Sequence, residues 1–331
     1  MKVLLTGANG FVGSQILQQL AAGGIPAVIL LRPTGSQRLI QDYLDGVEIR
    51  PGSLEEPATL AAALEGVSHV IHCAGKTKAV RRTEFAQVNV AGTQRLLDAV
   101  QARAGQVQRL VYLSSLAACG PGTTENPARE DDPPHPVSAY GHSKLAAERL
   151  VWDLDAPPRV VLRPGAVYGP GDADFLELFQ TARRGFIPQF GGGRQPLNLV
   201  YADDLARLTV RCLTDPRAVG RTFHVAHPQP TTARELGRAV AAALGVKAKP
   251  VSLPLAFLVP ISWGAELVSR LTGRPSIVSV DRRRLLTAPG WVCDTSHLRV
   301  ELGWECETNL EEGLRRTAAW YQEAGWLPIR R

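Results

Sequence analysis

Tyr140 and Lys144 stand four residues apart in Ser138-Ala139-Tyr140-Gly141-His142-Ser143-Lys144. On a helix that spacing sets both side chains on one face, one turn apart. A phenol with a pKa of about 10 is a weak acid–base group near neutral pH. A neighbouring ammonium favours the phenolate and lowers that value, so the pair could move a proton to or from a substrate oxygen. Lys144 could also donate to ribose hydroxyls and hold a cofactor beside the tyrosine. Ser114-Ser115 end the strand-like run Leu110–Ser114. A serine there could donate to a carbonyl oxygen as negative charge develops on it. Each element also has a bland reading. A Tyr/Lys pair on an exposed helix is worth only a few tenths of a kcal/mol, and strand-end serines often only make a turn.

A second chemical pattern opens the chain. Thr6-Gly7-Ala8-Asn9-Gly10-Phe11-Val12-Gly13 follows the apolar run Val3-Leu4-Leu5. Gly7 permits a tight turn, Gly10 lets backbone approach phosphates, and Gly13 lets the next helix pack close to the sheet. That helix carries Ile16, Leu17 and Leu20 on one face. Its N-terminal N–H groups would face a dinucleotide pyrophosphate.

These groups need a scaffold. The sequence predicts strands at Val3–Thr6, Ala27–Leu31, Val47–Arg50, His69–Cys73, Leu110–Ser114 and Arg159–Leu162. Helical patterns fall between them, at Pro57–Leu64, Phe85–Ala102 and Ser138–Trp152. Such alternation predicts an α/β fold, a doubly wound parallel sheet of Rossmann type covered on both faces. Residues 1–165 would form the nucleotide-binding domain, with a return segment around 198–225. Residues 166–197 and 226–331 would form a smaller C-terminal substrate lobe. The Pro-rich stretch Gly120–Pro136 is expected as a loop over the ligand crevice. Asp203 is expected to cap a helix over Asp204–Thr214. Five tryptophans (Trp263, Trp291, Trp304, Trp320, Trp326) are expected to build a separate core in the lobe.

Composition narrows the class. Of 331 residues, 45% are hydrophobic and 21% charged, which describes a globular protein rather than a disordered one. The net charge of +6 comes from scattered arginines without interleaved aromatics, which argues against nucleic-acid binding. A basic surface still suits an anionic cofactor or an acidic membrane surface. Five dispersed cysteines (Cys73, Cys119, Cys212, Cys293, Cys306) read as reduced structural thiols, hence a cytoplasmic location. The first strand begins at once, so no signal peptide is expected. No His/Cys/Asp grouping has metal-ligand spacing, so no metal is expected. His69, His72, His224 and His227 are given structural roles. Arg282-Arg283-Arg284 is taken as a solvated helix face. Val251–Leu271 is broken by Pro254 and Pro260 and carries Glu266, so it is not a membrane span. Its apolar part, Leu253–Leu271, is read as lobe core ahead of a pocket wall or a membrane contact.

In order along the chain, Gly7–Gly13, Ala74-Gly75, Asn89 in Val88-Asn89-Val90-Ala91-Gly92-Thr93, Ser115, Tyr140/Lys144, Arg163–Pro170 and Val200–Asp204 form one set. Over nearly its whole length the chain resembles the extended short-chain dehydrogenase/reductase superfamily, which includes NAD-dependent epimerases and dehydratases. The resemblance implies an enzyme with Tyr140 as acid/base, Lys144 as its electrostatic partner and Ser115 as carbonyl donor. Asn89 would support the site through a helix irregularity and a water relay. Thr6, Gly7, Asn9, Gly10, Phe11, Val12, Gly13, Arg32, Ser53, Leu54, Ala74 and Gly75 would hold the dinucleotide with Tyr140 and Lys144. Pro164, Gly165 and Val167 would meet the nicotinamide carboxamide.

Leu31 stands where NAD-preferring members carry aspartate, and Arg32 follows where NADP-dependent members carry a base, so NADP is favoured over NAD. Ser53 replaces the usual aspartate at the adenine. Among reactions, ketone–alcohol interconversion on a small lipophilic or aromatic molecule leads, as in the 3-beta-hydroxysteroid dehydrogenase and dihydroflavonol reductase branches. Leu253–Leu271 and Gly273-Arg274-Pro275 resemble the steroid branch's C-terminal lobe. The alternatives are a nucleotide-sugar epimerase or 4-ketoreductase and a non-catalytic NADP sensor or scaffold. Leu116-Ala117 stand where sugar dehydratases carry acids, and Leu197 where many nucleotide-sugar enzymes carry a phosphate-binding arginine, for which Arg194 in the preceding loop could substitute. The resemblance also implies a homodimer through the Asn89 and Tyr/Lys helices. Phe85, Val88, Leu96, Leu97, Leu145 and Leu150 are its expected apolar face.

Overall fold

Short runs of aliphatic residues form β1 (Val3–Thr6), β2 (Ala27–Leu31), β3 (Val47–Pro51), β4 (His69–His72), β5 (Arg109–Leu113) and β6 (Arg159–Pro164). The computed structural model describes residues 1–273 and 280–328. In it these six strands make one parallel sheet with a seventh, Arg221–Val225, beside β6. β1 lies between β2 and β4, with Leu5 opposite both Ile29 and Ile71. The winding reverses between β1 and β4, so the loops leaving them diverge and open a crevice at the strands' C-terminal ends.

Successive strand residues point to opposite faces, and both faces are buried. Val3, Leu5, Ile29, Val111 and Leu162 join one core, with Ile16, Leu17 and Leu20 of the helix Phe11–Ala22. Leu4, Val28, Leu110, Tyr112 and Val161 join the other, with Leu96, Leu97 and Val100 of Gly92–Gln101 and Ala147 and Val151 of Ala139–Trp152. This packing corrects the expected dimer face. Phe85, Leu96, Leu97 and Leu145 are buried inside the chain, and only Val88 and Leu150 are partly exposed.

A third core gathers Tyr168, Phe179, Ile187, Leu236, Val240, Leu314 and Tyr321 from the helices Ala173–Arg183, Ala233–Ala243 and Leu310–Glu323 and the segments around them. Of the five tryptophans expected there, only Trp320 and Trp326 take part. Trp304 packs on a core of the sheet, Trp291 on a small cluster around Cys293, and Trp263 is 65% exposed. All five cysteines are free thiols.

Three further expectations are corrected. The helix predicted from Asp204 is Ala202–Arg211, with Tyr201 as its N-cap. Asp203 and Asp204 occupy its first turn, where the helix dipole favours negative charge, and Asp204 accepts from the Thr308 N–H at 2.9 Å. The segment Leu253–Leu271 is not core. Its helix, Leu258–Thr272, turns most of its large apolar side chains outward. The loop Gly120–Pro136 folds onto a strip near residue 292, with Ala128 N–H donating to the Val292 carbonyl at 2.9 Å. Arg274, Pro275 and the Arg282 side chain lie outside the described residues.

Candidate active site

At the crevice, Gly7 takes φ +76° and Gly10 N–H donates to the Gly7 carbonyl at 3.0 Å. A Cβ on Gly13 would stand 1.9 Å from that carbonyl oxygen, so only glycine lets the helix start this close to the turn. Gly10 is the N-cap and supplies no side-chain acceptor. The N–H groups of the first turn are therefore available to an anion.

The turn opens into a cleft of about 960 Å³. Every residue expected to hold the cofactor lines it. Thr6 to Gly13 (bar Ala8) form one wall, with Arg32 after β2, Ser53-Leu54 after β3, Ala74-Gly75 after β4, and Pro164, Gly165 and Val167 at and after β6. Ser115, Tyr140 and Lys144 line the same cleft. These residues fit an elongated dinucleotide: an anion seat at the helix start, a channel along strand ends, and polar groups beyond it. No residue of 120–136 lines it, because that loop is pinned to the strip near residue 292.

Several contacts position the helix Ala139–Trp152, which carries Tyr140 and Lys144. Ser138 caps it by accepting from Gly141 N–H at 3.0 Å. The Asp281 carboxylate accepts from Ala139 N–H at 2.7 Å and Tyr140 N–H at 3.4 Å. A Cβ on Gly141 would come within 2.3 Å of the Ala117 carbonyl oxygen, so glycine lets the helix seat against Leu116–Cys119. Ser115 caps that short helix, accepting from Ala117 N–H at 3.2 Å. The same hydroxyl also hydrogen-bonds the Tyr140 phenol.

The electrostatics differ from expectation at one point. Burial raises the Tyr140 phenol above its ordinary pKa, with the Ser115 hydroxyl pulling the other way. Lys144 does not lower it here. Its ammonium donates to the Leu113 carbonyl at 2.6 Å and lies 4.5 Å over the Tyr112 ring. Burial pushes Lys144 itself down to about 8.

Asn89 lies just behind the cleft wall, 1% exposed, within a π-helical turn Ala86–Ala91. The expected irregularity of its helix is there. Its carboxamide accepts from Lys76 N–H at 2.7 Å and donates to the Lys76 carbonyl at 3.0 Å. It also donates to Ser143 Oγ at 2.9 Å, and Ser143 donates to the Tyr140 carbonyl at 2.7 Å. One side chain thus ties the loop after β4 to the helix that carries Tyr140 and Lys144. His72 extends the tie, bonding Thr6 at 2.7 Å and Thr93 at 2.9 Å, and burial pushes its pKa down to about 3. It is a neutral structural link. Among the described residues no cluster of His, Cys, Asp or Glu could hold a metal ion.

Sequence reading missed Asp281, Arg38 and Trp326. Arg38 and Trp326 line the cleft, with the guanidinium 5.1 Å from the indole centroid and bonded to the Ala324 carbonyl at 3.2 Å. Two arginines flanking the Gly35-Ser36 turn after β2 were the available signal for Arg38. Nothing local points from Asp281 to Tyr140.

The model of the NAD dependent epimerase/dehydratase family matches residues 3–226. UDP-glucose 4-epimerase of Vibrio cholerae is 32% identical, over 97% of this chain and 96% of that protein. Ceramide reductase of Caulobacter vibrioides is 29% identical, over 98% and 96%. Among solved structures, MoeE5 in complex with UDP-glucose and NAD aligns with a TM-score of 0.77 at 26% identity, covering 98% of this chain and 99% of that one.

Proposed function

This chain belongs to the NAD dependent epimerase/dehydratase family, and from that premise we propose that it interconverts a ketone and a secondary alcohol on a lipophilic substrate. It is an extended short-chain dehydrogenase/reductase using a nicotinamide cofactor. The observation that carries the reading is the convergence of Ser115, Tyr140 and Lys144 on the cleft that starts at the Gly7–Gly13 turn. A bound nicotinamide supplies or accepts the hydride. Tyr140 gives its phenolic proton to the substrate oxygen in reduction and takes it back in oxidation. Ser115 donates to that oxygen as its charge grows, and Lys144 holds a positive charge behind the phenol. Asn89 and Asp281 position the helix that carries the pair.

A lipophilic substrate is supported by groups that these positions lack. Leu197 lies in a two-residue strand paired with Thr231 and offers no cation, and Arg194 is exposed. Leu116 and Ala117 are buried and apolar. The relative acting on ceramide agrees by its name. A nucleotide-sugar epimerase is the second reading, favoured by the 32% identical Vibrio cholerae enzyme. A panel separates them. NADPH consumption with long-chain ketones, and no interconversion of UDP-glucose and UDP-galactose, is the expected result. Epimerisation without net cofactor consumption would replace it.

NADP belongs to this reading, because Arg32 and Arg38 are exposed on the cleft wall and buried Leu31 offers no carboxylate to a ribose diol. Replacing both arginines by alanine should weaken NADPH binding roughly 10- to 100-fold and NADH far less, read by fluorescence titration. We assign cofactor binding to 1–165 with 198–225, and substrate binding to 166–197 with 226–331. A cytoplasmic homodimer is part of the proposal, its face built from side chains other than Phe85, Leu96, Leu97 and Leu145.

A further inference from the structure

The helix Leu258–Thr272 is inside out. Ser262 and Ser269 are buried with Leu258 along one face, while Trp263, Leu267 and Leu271 are 65%, 61% and 78% exposed. Water is a poor solvent for that outer face. The apolar surface continues onto the parallel strand pair Phe186–Phe190 and Lys249–Leu253, where Phe186 and Val251 are exposed. Phe186 pairs with Lys249 and Val251 with Pro188, so the two-residue alternation sets them on one side of the ribbon.

Charge decides what covers this face. Residues 183–194 contain Arg183, Arg184 and Arg194 and no acid. Residues 247–272 contain Lys247, Lys249 and Arg270 against a single acid, Glu266, which pairs with Arg270 at 2.7 Å. The other five cations are exposed and form no ion pair among the described residues. A second copy of the chain would bring two like-charged rims together. An anionic lipid surface satisfies both features, taking the apolar side chains among its acyl chains and the cations among its headgroups.

We infer that the face formed by Leu258–Thr272 and the strands Phe186–Phe190 and Lys249–Leu253 docks the enzyme on an anionic membrane surface. The helix lies on the bilayer. Among the described residues no helix is long and apolar enough to cross one. The inference concerns where the enzyme sits and does not depend on which carbonyl it reduces.

Flotation of the full chain with phosphatidylcholine vesicles, with and without phosphatidylglycerol, tests it. The expected result is binding to the phosphatidylglycerol vesicles that weakens as salt is raised. The triple variant Trp263→Ser/Leu267→Ser/Leu271→Ser should bind them at least roughly tenfold more weakly. Lys247→Glu/Lys249→Glu, which leaves the apolar face intact, should reduce the preference for anionic vesicles. Both variants should reduce a water-soluble short-chain ketone at the unaltered rate. No flotation by the unaltered chain, or flotation that neither variant weakens, overturns the inference. So does a dimer, seen by light scattering, that the triple variant dissolves. Vesicle binding without turnover of any ketone would overturn the proposed reaction and leave the docking surface standing.

Discussion

Tyr140→Phe is expected to lower kcat/KM for ketone reduction by roughly 10²- to 10⁴-fold while changing cofactor affinity far less. The change removes one oxygen. The ring keeps its packing on Phe85 at 6.0 Å, and the helix keeps its caps from Ser138 and Asp281. Steady-state kinetics with a fluorescence measurement of cofactor binding checks both halves. A sensor or scaffold would show no turnover to lose. The pH profile carries a sign. Burial holds the Tyr140 phenol above its ordinary value, so its acid form persists through neutral pH. Reduction, which needs that proton, should be flat there and fall on the alkaline side. Oxidation, which needs the phenolate, should rise as pH rises. Lys144, held down to about 8 by burial, titrates in the same alkaline range, so the limb belongs to the pair rather than to one residue.

Arg163→Leu is expected to cost roughly 3–5 kcal/mol of folding stability. The Arg163 and Glu148 side chains are only 8% and 2% exposed. The guanidinium donates to the carboxylate at 3.0, 3.2 and 2.7 Å. Burial works against the Arg163 charge, and Glu148 more than offsets it, raising the guanidinium's pKa. Leucine would leave a buried carboxylate with the Ser114 hydroxyl as its main partner. A loss of that size is a large part of a typical domain's total of about 5–15 kcal/mol. Urea unfolding measures it, and Glu148→Leu/Arg163→Met should recover most of the loss, because no charge remains to be buried. Glu148 belongs to the helix that carries Tyr140 and accepts from the Ser114 hydroxyl, so loss of the pair should also loosen the site.

What could be read in advance was local. The six strands announced themselves as short aliphatic runs, and the Gly7–Gly13 turn is complete within eight residues. The Tyr140/Lys144 pair needs only one helical turn. The missed features join distant parts of the chain. Asp281 reaches Tyr140 across 141 positions, and Arg38 reaches the segment before Trp326 across 286. Composition also says that Leu253–Leu271 is apolar without saying which way it faces; the expected core is an exposed helix because its buried side carries Ser262 and Ser269. The lowered phenol pKa failed for a related reason. Spacing puts Lys144 one turn from Tyr140, but the Leu113 carbonyl and the Tyr112 ring set where its ammonium lies.

The central claim is that hydride moves between a nicotinamide and a substrate carbon beside Tyr140. Its most direct measurement is a single turnover with NADPH carrying deuterium at the transferable C4 position, followed by mass analysis of the product alcohol. The account predicts deuterium on the new carbinol carbon with the unaltered chain, and none over the same time with Tyr140→Phe. An unlabelled product, or equal labelling by both proteins, would contradict it.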